Sequence, residues 1–131
     1  MILQKAVSDS IEPEKDGLRI LVSRFRGRGR DQDRYDVWMA SLAPSEQLIH
    51  DLKEREIDWT GFSRRYRDEI FCGGEVDDRN SSVKNHGQKF TLRLLREMGA
   101  RQNVTLLCHC CIESPECHRL MLARWIEESG P

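Results

Sequence analysis

The densest chemistry in the chain lies near its C-terminal end, where Cys108-His109-Cys110-Cys111 is followed by Cys117-His118-Arg119, so that four of the five cysteines fall within ten residues. Thiolates are nucleophiles and soft metal ligands, imidazole exchanges protons near neutral pH, and guanidinium grips anions in bidentate fashion. Three chemistries fit that set. In the first, Cys117 or Cys108 is a nucleophile, His118 an acid or base, and Arg119 holds an anionic substrate. In the second, zinc is held by members of the set Cys110, Cys111, Cys117 and His118, although the two separated Cys-x-x-Cys knuckles of a strong zinc pattern are lacking. In the third, the adjacent Cys110 and Cys111 sense oxidants. Against all three stands a plainer reading, with Cys108 a small core hydrophobe and His118 a packing residue at a helix end.

A second candidate is Ser23-Arg24-Phe25-Arg26-Gly27-Arg28-Gly29-Arg30. Glycines let backbone approach a ligand closely, so Arg24 and Arg28 are candidate anion-binding residues alongside Arg119. The competing reading is a solvated basic loop neutralised by Asp31, Asp33 and Asp36. The formal net charge of -1 argues against bulk attraction to nucleic acid or to acidic membranes, so nucleic acid is not expected as a partner.

Elements must position these residues. Met1 to Val7 reads as a strand, and Leu18 to Phe25 as a second, with Leu18, Ile20 and Val22 alternating with Arg19, Leu21 and Ser23. Tyr35 to Leu42 fits either a short helix or an extended segment. Ser45 is an expected N-cap for a helix carrying Leu48, Ile49 and Leu52, and Trp59 to Phe71 reads as a helix with Trp59, Phe62, Tyr66 and Ile70 on its core face. Residues 72–85, rich in Gly, Asp, Asn and Ser, are expected to form a mobile loop. A further helix is expected through Phe90, Leu94, Leu95 and Met98 to a stop at Gly99. Asn103 to Cys110 is the strongest strand, a nearly continuous apolar run of the kind buried on both faces of a parallel sheet. Ser114-Pro115-Glu116 predicts the start of the last helix, with Cys117 in its first turn. The expected fold is therefore α/β, a small layered sheet, at least partly parallel, flanked by helices, in one domain over residues 1–131.

With 33% charged and 38% hydrophobic residues, the composition is that of a globular protein. No uncharged apolar stretch approaches a membrane span, and the start of the chain lacks the pattern of a secretory signal. Clustered cysteines in odd number suit reduced thiols better than a disulfide framework, so a cytoplasmic location is expected.

Taken in order, Gly17-Leu18-Arg19-Ile20-Leu21-Val22, Arg28-Gly29, Asp36-Val37-Trp38 with Leu42-Ala43-Pro44-Ser45, Trp59 with Phe62 and Tyr66, and Leu106-Leu107-Cys108 with Cys117-His118-Arg119 resemble the bacterial domain of unknown function 488 family. The front half looks like its YeaO-like branch and the Cys-His-Arg ending like its longer branch. The resemblance runs from about Gly17 to Ile126. It implies a compact α/β domain in which the Arg24 and Arg28 region and the Cys108 to Arg119 region are shared features. Members usually carry an aspartate at the position of Ser23, Trp-Pro at Arg26-Gly27, and in the longer branch an acid near His109-Cys110, so a carboxylate-based mechanism does not carry over. The resulting expectation is a domain that holds an anionic small molecule or nucleotide at a strand-loop-helix junction, with catalysis open. The rival expectations are a zinc-stabilised interaction module without catalysis and a thiol redox sensor.

Overall fold

The computed structural model describes residues 1–26, 33–72, 76–77, 80–84, 87–109 and 117–129. In chain order the elements are β1 (Ile2–Ala6), α1 (Pro13–Asp16), β2 (Leu18–Leu21), β3 (Val37–Trp38), a 3-10 turn (Ala40–Leu42), α2 (Glu46–Lys53), α3 (Trp59–Phe71), β4 (Val76–Asp77), β5 (Asn80–Lys84), α4 (Lys89–Arg101), β6 (Val104–Cys108) and α5 (His118–Glu128). The fold is α/β, as expected. Four strands form one all-parallel sheet in the order β1-β6-β2-β3.

The last strand in sequence is thus an interior one, with parallel neighbours on both sides. Its composition explains the placement, because Val104, Thr105, Leu106, Leu107 and Cys108 are all fully buried. Burying each large aliphatic side chain contributes roughly 1.5–3 kcal/mol. Alternation divides the sheet into two faces. Ile20, Val22, Val104 and Leu106 join the main core with Leu48 of α2, Phe62, Tyr66 and Ile70 of α3, Leu92 and Leu95 of α4, and Leu122, Trp125 and Ile126 of α5. The opposite face has a smaller cluster, Val7, Leu21 and Leu107, covered in part by Tyr35.

Local signals set two of the helix starts. The Ser45 hydroxyl accepts from the Leu48 amide and caps α2, and the Asp58 carboxylate accepts from the Gly61 amide and caps α3. The ambiguous Tyr35 to Leu42 segment divides into β3 and the 3-10 turn. Residues 72–85, expected as a loop, contain the antiparallel pair β4 and β5.

Two expectations about helix ends fail. Gly99 does not stop α4, which continues to Arg101. It is instead a close-approach residue, since a Cβ there would stand 2.5 Å from Ile2 Cδ1. The buried stripe of α4 is Leu92, Leu95 and Gly99, which leaves Phe90 and Leu94 exposed. Cys117 is not in the first turn of α5 but is its N-cap residue, extended at φ -136 and ψ 134, and the helix begins at His118.

Candidate functional site

β2 and β6 run side by side in register, with Leu21 opposite Leu107, and the Val22 amide donates to the Leu107 carbonyl at 2.8 Å. Their carboxyl ends therefore open onto the same rim of the sheet. That is where parallel α/β sheets bind ligands, because loops diverge there and helix N-termini converge. Ser23, Arg24 and Phe25 leave β2 at this rim, Cys108 and His109 end β6, and Cys117 and His118 begin α5. All seven line one cavity of about 280 Å³, closed by Pro44, Ile49, Leu52, Trp59 and Phe62, with Lys53 at its exposed edge. Trp59 and Phe62 stack with ring centres 4.9 Å apart, forming an aromatic wall.

The two sulfurs meet at the base of the cavity. Cys108 Sγ and Cys117 Sγ lie 3.0 Å apart and are not joined by a disulfide. Arg119 is completely buried. Its Nη1 donates to Cys108 Sγ at 2.6 Å and to Cys117 Sγ at 3.3 Å, while its Nε donates to Gln4 Oε1 at 2.6 Å. Arg119, expected to hold an anionic substrate, lies beneath the cavity, holding both thiols and β1 together. Gln4 was not singled out by the sequence, although an amide at an inward-facing position of a strand is the kind of residue that needs a buried partner.

The histidines are held by backbone. The His118 Nε2–H donates to the Val22 carbonyl at 2.7 Å, which makes Nδ1 the basic nitrogen of the neutral ring. His109, exposed, directs Nε2–H to the Phe25 carbonyl at 3.3 Å. Tyr66 meets the His118 ring edge-on at 5.8 Å and donates its hydroxyl to the Leu42 carbonyl at 2.6 Å. Burial pushes the Tyr66 phenol well above its ordinary pKa, the Cys117, Glu69 and Cys108 groups push the same way, and Arg24 opposes weakly. Tyr66 is accordingly a neutral structural donor, as its helical spacing suggests.

Arg24 is fixed at two of its donors, Nε to the Pro44 carbonyl at 3.0 Å and Nη2 to the Ala43 carbonyl at 2.9 Å. These contacts orient the guanidinium plane. Among the described residues, neither Arg24 Nη1 nor the Ser23 hydroxyl makes a hydrogen bond. The helical spacing of Trp59 and Phe62 predicts a core role alone, yet the half-buried Trp59 also faces the cavity. Arg28, Cys110 and Cys111 lie outside the described residues. Among those described, no three His, Cys, Asp or Glu side chains gather to hold a metal ion. Nor is any helix among them long and apolar enough to cross a membrane.

No curated protein and no solved structure was found to match the chain. Residues 3–130 match the family described as the active DUF488-N3 subclade, a match that bears on the whole domain and not on the YeaO-like branch, and the chain belongs to this DUF488-N3a family.

Proposed function

We propose that the cavity at the carboxyl ends of β2 and β6 binds a small molecule with an apolar, ring-sized body and an anionic group, with Cys117 as the nucleophilic group of the site and His118 as its proton carrier. The observation that carries this reading is that an oriented guanidinium with a spare donor, Arg24, lines the same cavity as a thiol at the N-terminus of a helix. A volume of about 280 Å³ is at the small end for ligand sites, roughly 300–1,000 Å³. It suits a single ring or short acyl chain, such as one nucleobase-sized group, rather than a dinucleotide. The walls remove the body of the ligand from water, while Arg24 Nη1, the Ser23 hydroxyl and Lys53 are available to the anionic end. The description of the subclade as active supports catalysis over passive binding.

Nucleophilic sulfur is favoured in its thiolate form by a neighbouring guanidinium and by a helix N-terminus. Arg119 supplies the first to both sulfurs, and α5 supplies the second to Cys117. The reading is tested by alkylating Cys117 with iodoacetate, which is anionic, and with iodoacetamide, which is not. The ratio of the two rates, normalised to the denatured chain, should favour iodoacetate several-fold, and Arg24→Gln should abolish that preference. Equal normalised rates, or a preference that survives in Arg24→Gln, reject the anion anchor.

A further inference from the structure

Cys108 and Cys117 are nine positions apart in the chain and approach one another to 3.0 Å without being joined. A disulfide needs about 2.05 Å, so roughly 1 Å of closure separates the pair from a bond. One sulfur ends an interior strand and the other precedes a helix packed on the same sheet face, so the core holds the elements that bring them together. Arg119 donates to both sulfurs, which places a common positive charge beside whichever is ionised. Both residues are at most 1% exposed, yet both line the cavity. A reactant must therefore enter a space of about 280 Å³, which admits a small molecule and excludes a protein disulfide.

We infer that Cys108 and Cys117 form a reversible disulfide driven by a small hydroperoxide that enters this cavity. Cys117, at the helix N-terminus, is the attacking sulfur. Its thiolate attacks the terminal peroxide oxygen, so an S–O bond forms, the O–O bond breaks, and the displaced alkoxide or hydroxide takes a proton to give an alcohol or water. Cys108 then attacks the Cys117 sulfur of the sulfenic acid, forming the S–S bond and releasing water, whose second hydrogen is the Cys108 thiol proton. Two electrons pass from two thiols to one peroxide, and a dithiol reductant reverses the change. The pair differs from the adjacent Cys110 and Cys111 that sequence alone suggests as a sensor. If Cys117 is also the nucleophile proposed above, the disulfide switches that activity off, but its formation does not depend on the anion anchor.

The test uses the full chain with Cys72, Cys110 and Cys111 changed to Ser, treated with stoichiometric hydrogen peroxide. Intact mass should fall by two hydrogens, and cleavage after Glu113 should leave the peptides bearing Cys108 and Cys117 joined until dithiothreitol is added. In Cys108→Ser the sulfenic acid should persist on Cys117 and be trapped by dimedone, whereas Cys117→Ser should give far less trapping at Cys108. Peptide mapping of the unsubstituted chain supplies the same readout if the triple variant does not fold. Arg24→Gln should still form the disulfide, so a failure of the anion anchor and a failure of the dithiol pair are told apart. Oxidation that leaves Cys108 and Cys117 unlinked, or dimedone trapping on Cys117 that is undiminished when Cys108 is present, overturns the inference.

Discussion

Two buried arginines stand at opposite ends of the same sheet, and their partners differ in kind. At the amino end of β2, Arg19 is 5% exposed; its Nη1 donates to the Asp16 carboxylate and its Nε to the Arg34 carbonyl. Asp16 also accepts from Lys5 Nζ at 3.0 Å and from the Glu12 amide at 2.9 Å. This is a structural cluster of charge-assisted bonds tying α1 and the 33–36 segment to the sheet. At the carboxyl end, Arg119 is given two thiols and an amide oxygen, and the thiols open onto the cavity. A carboxylate partner neutralises a guanidinium and leaves nothing to react. A thiol partner is itself changed by the guanidinium, which is the arrangement chemistry requires.

The amino end should dominate stability. Gly17 sits at φ +62, and a Cβ there would stand 2.0 Å from the Asn103 carbonyl oxygen. Gly17→Ala therefore forces backbone apart in a conformation L-residues avoid, and about 4 kcal/mol or more should be lost in urea unfolding. Asp16→Ala should come next. It strips the buried Arg19 of its carboxylate, and losses of roughly 3–5 kcal/mol follow from leaving such a charge unpaired. Among the described residues Arg19 Nη2 is already buried without a hydrogen-bond partner, so the double variant Asp16→Ala with Arg19→Met should recover much of that loss; no recovery would mean the ion pair is not what the single variant breaks.

The same cluster sets a pH dependence. Burial raises the Asp16 pKa, but the Glu12 amide, the Lys5 ammonium and the Arg19 charge outweigh it and hold the carboxyl below its ordinary value of 3.8. A carboxyl whose folded pKa is lower than its unfolded one stabilises the fold fully above the unfolded value, and that contribution is lost as pH falls through the folded value. The loss lies on the acid side of 3.8. Asp16→Ala should flatten this acid limb of the stability curve and leave the neutral region parallel to that of the parent.

Much of this was legible in the residues. The apolar run of β6 announces an interior strand, the Trp59, Phe62, Tyr66 and Ile70 spacing fixes α3, and Ser45 marks its own helix start. Because β2 and β6 are neighbours, Arg24 does share a rim with Cys108, His109, Cys117 and His118, as the open-sheet rule for ligands suggests. What sequence could not supply was side-chain partnership. Cys108 and Cys117 meet through a contact between strand and helix, and Gln4 reaches Arg119 across 115 positions. The reading of Gly99 as a helix stop failed because a glycine that ends a helix and one that admits a neighbouring side chain look alike until Ile2 is placed. Phe90 and Leu94 fit the helical period of α4, yet the neighbouring stripe is the one that faces the core.

The carboxyl end should show the smaller stability effect and the larger chemical one. Arg119→Met keeps most of the buried volume while removing hydrogen bonds to Gln4 and to the two sulfurs, and a loss of about 1–3 kcal/mol follows from the unsatisfied amide oxygen. With the guanidinium gone, the thiolate form loses a positive neighbour 3.3 Å away, so the pH at which Cys117 is alkylated should rise. Arg19→Met, a change of the same type at the other end of the sheet, should leave that alkylation profile where it was. Matched profiles for the two variants would mean that Arg119 acts on the thiols only by supporting the fold, and the distinction between the two ends would collapse. A shift confined to Arg119→Met separates a charge that holds the sheet together from one that prepares sulfur to react.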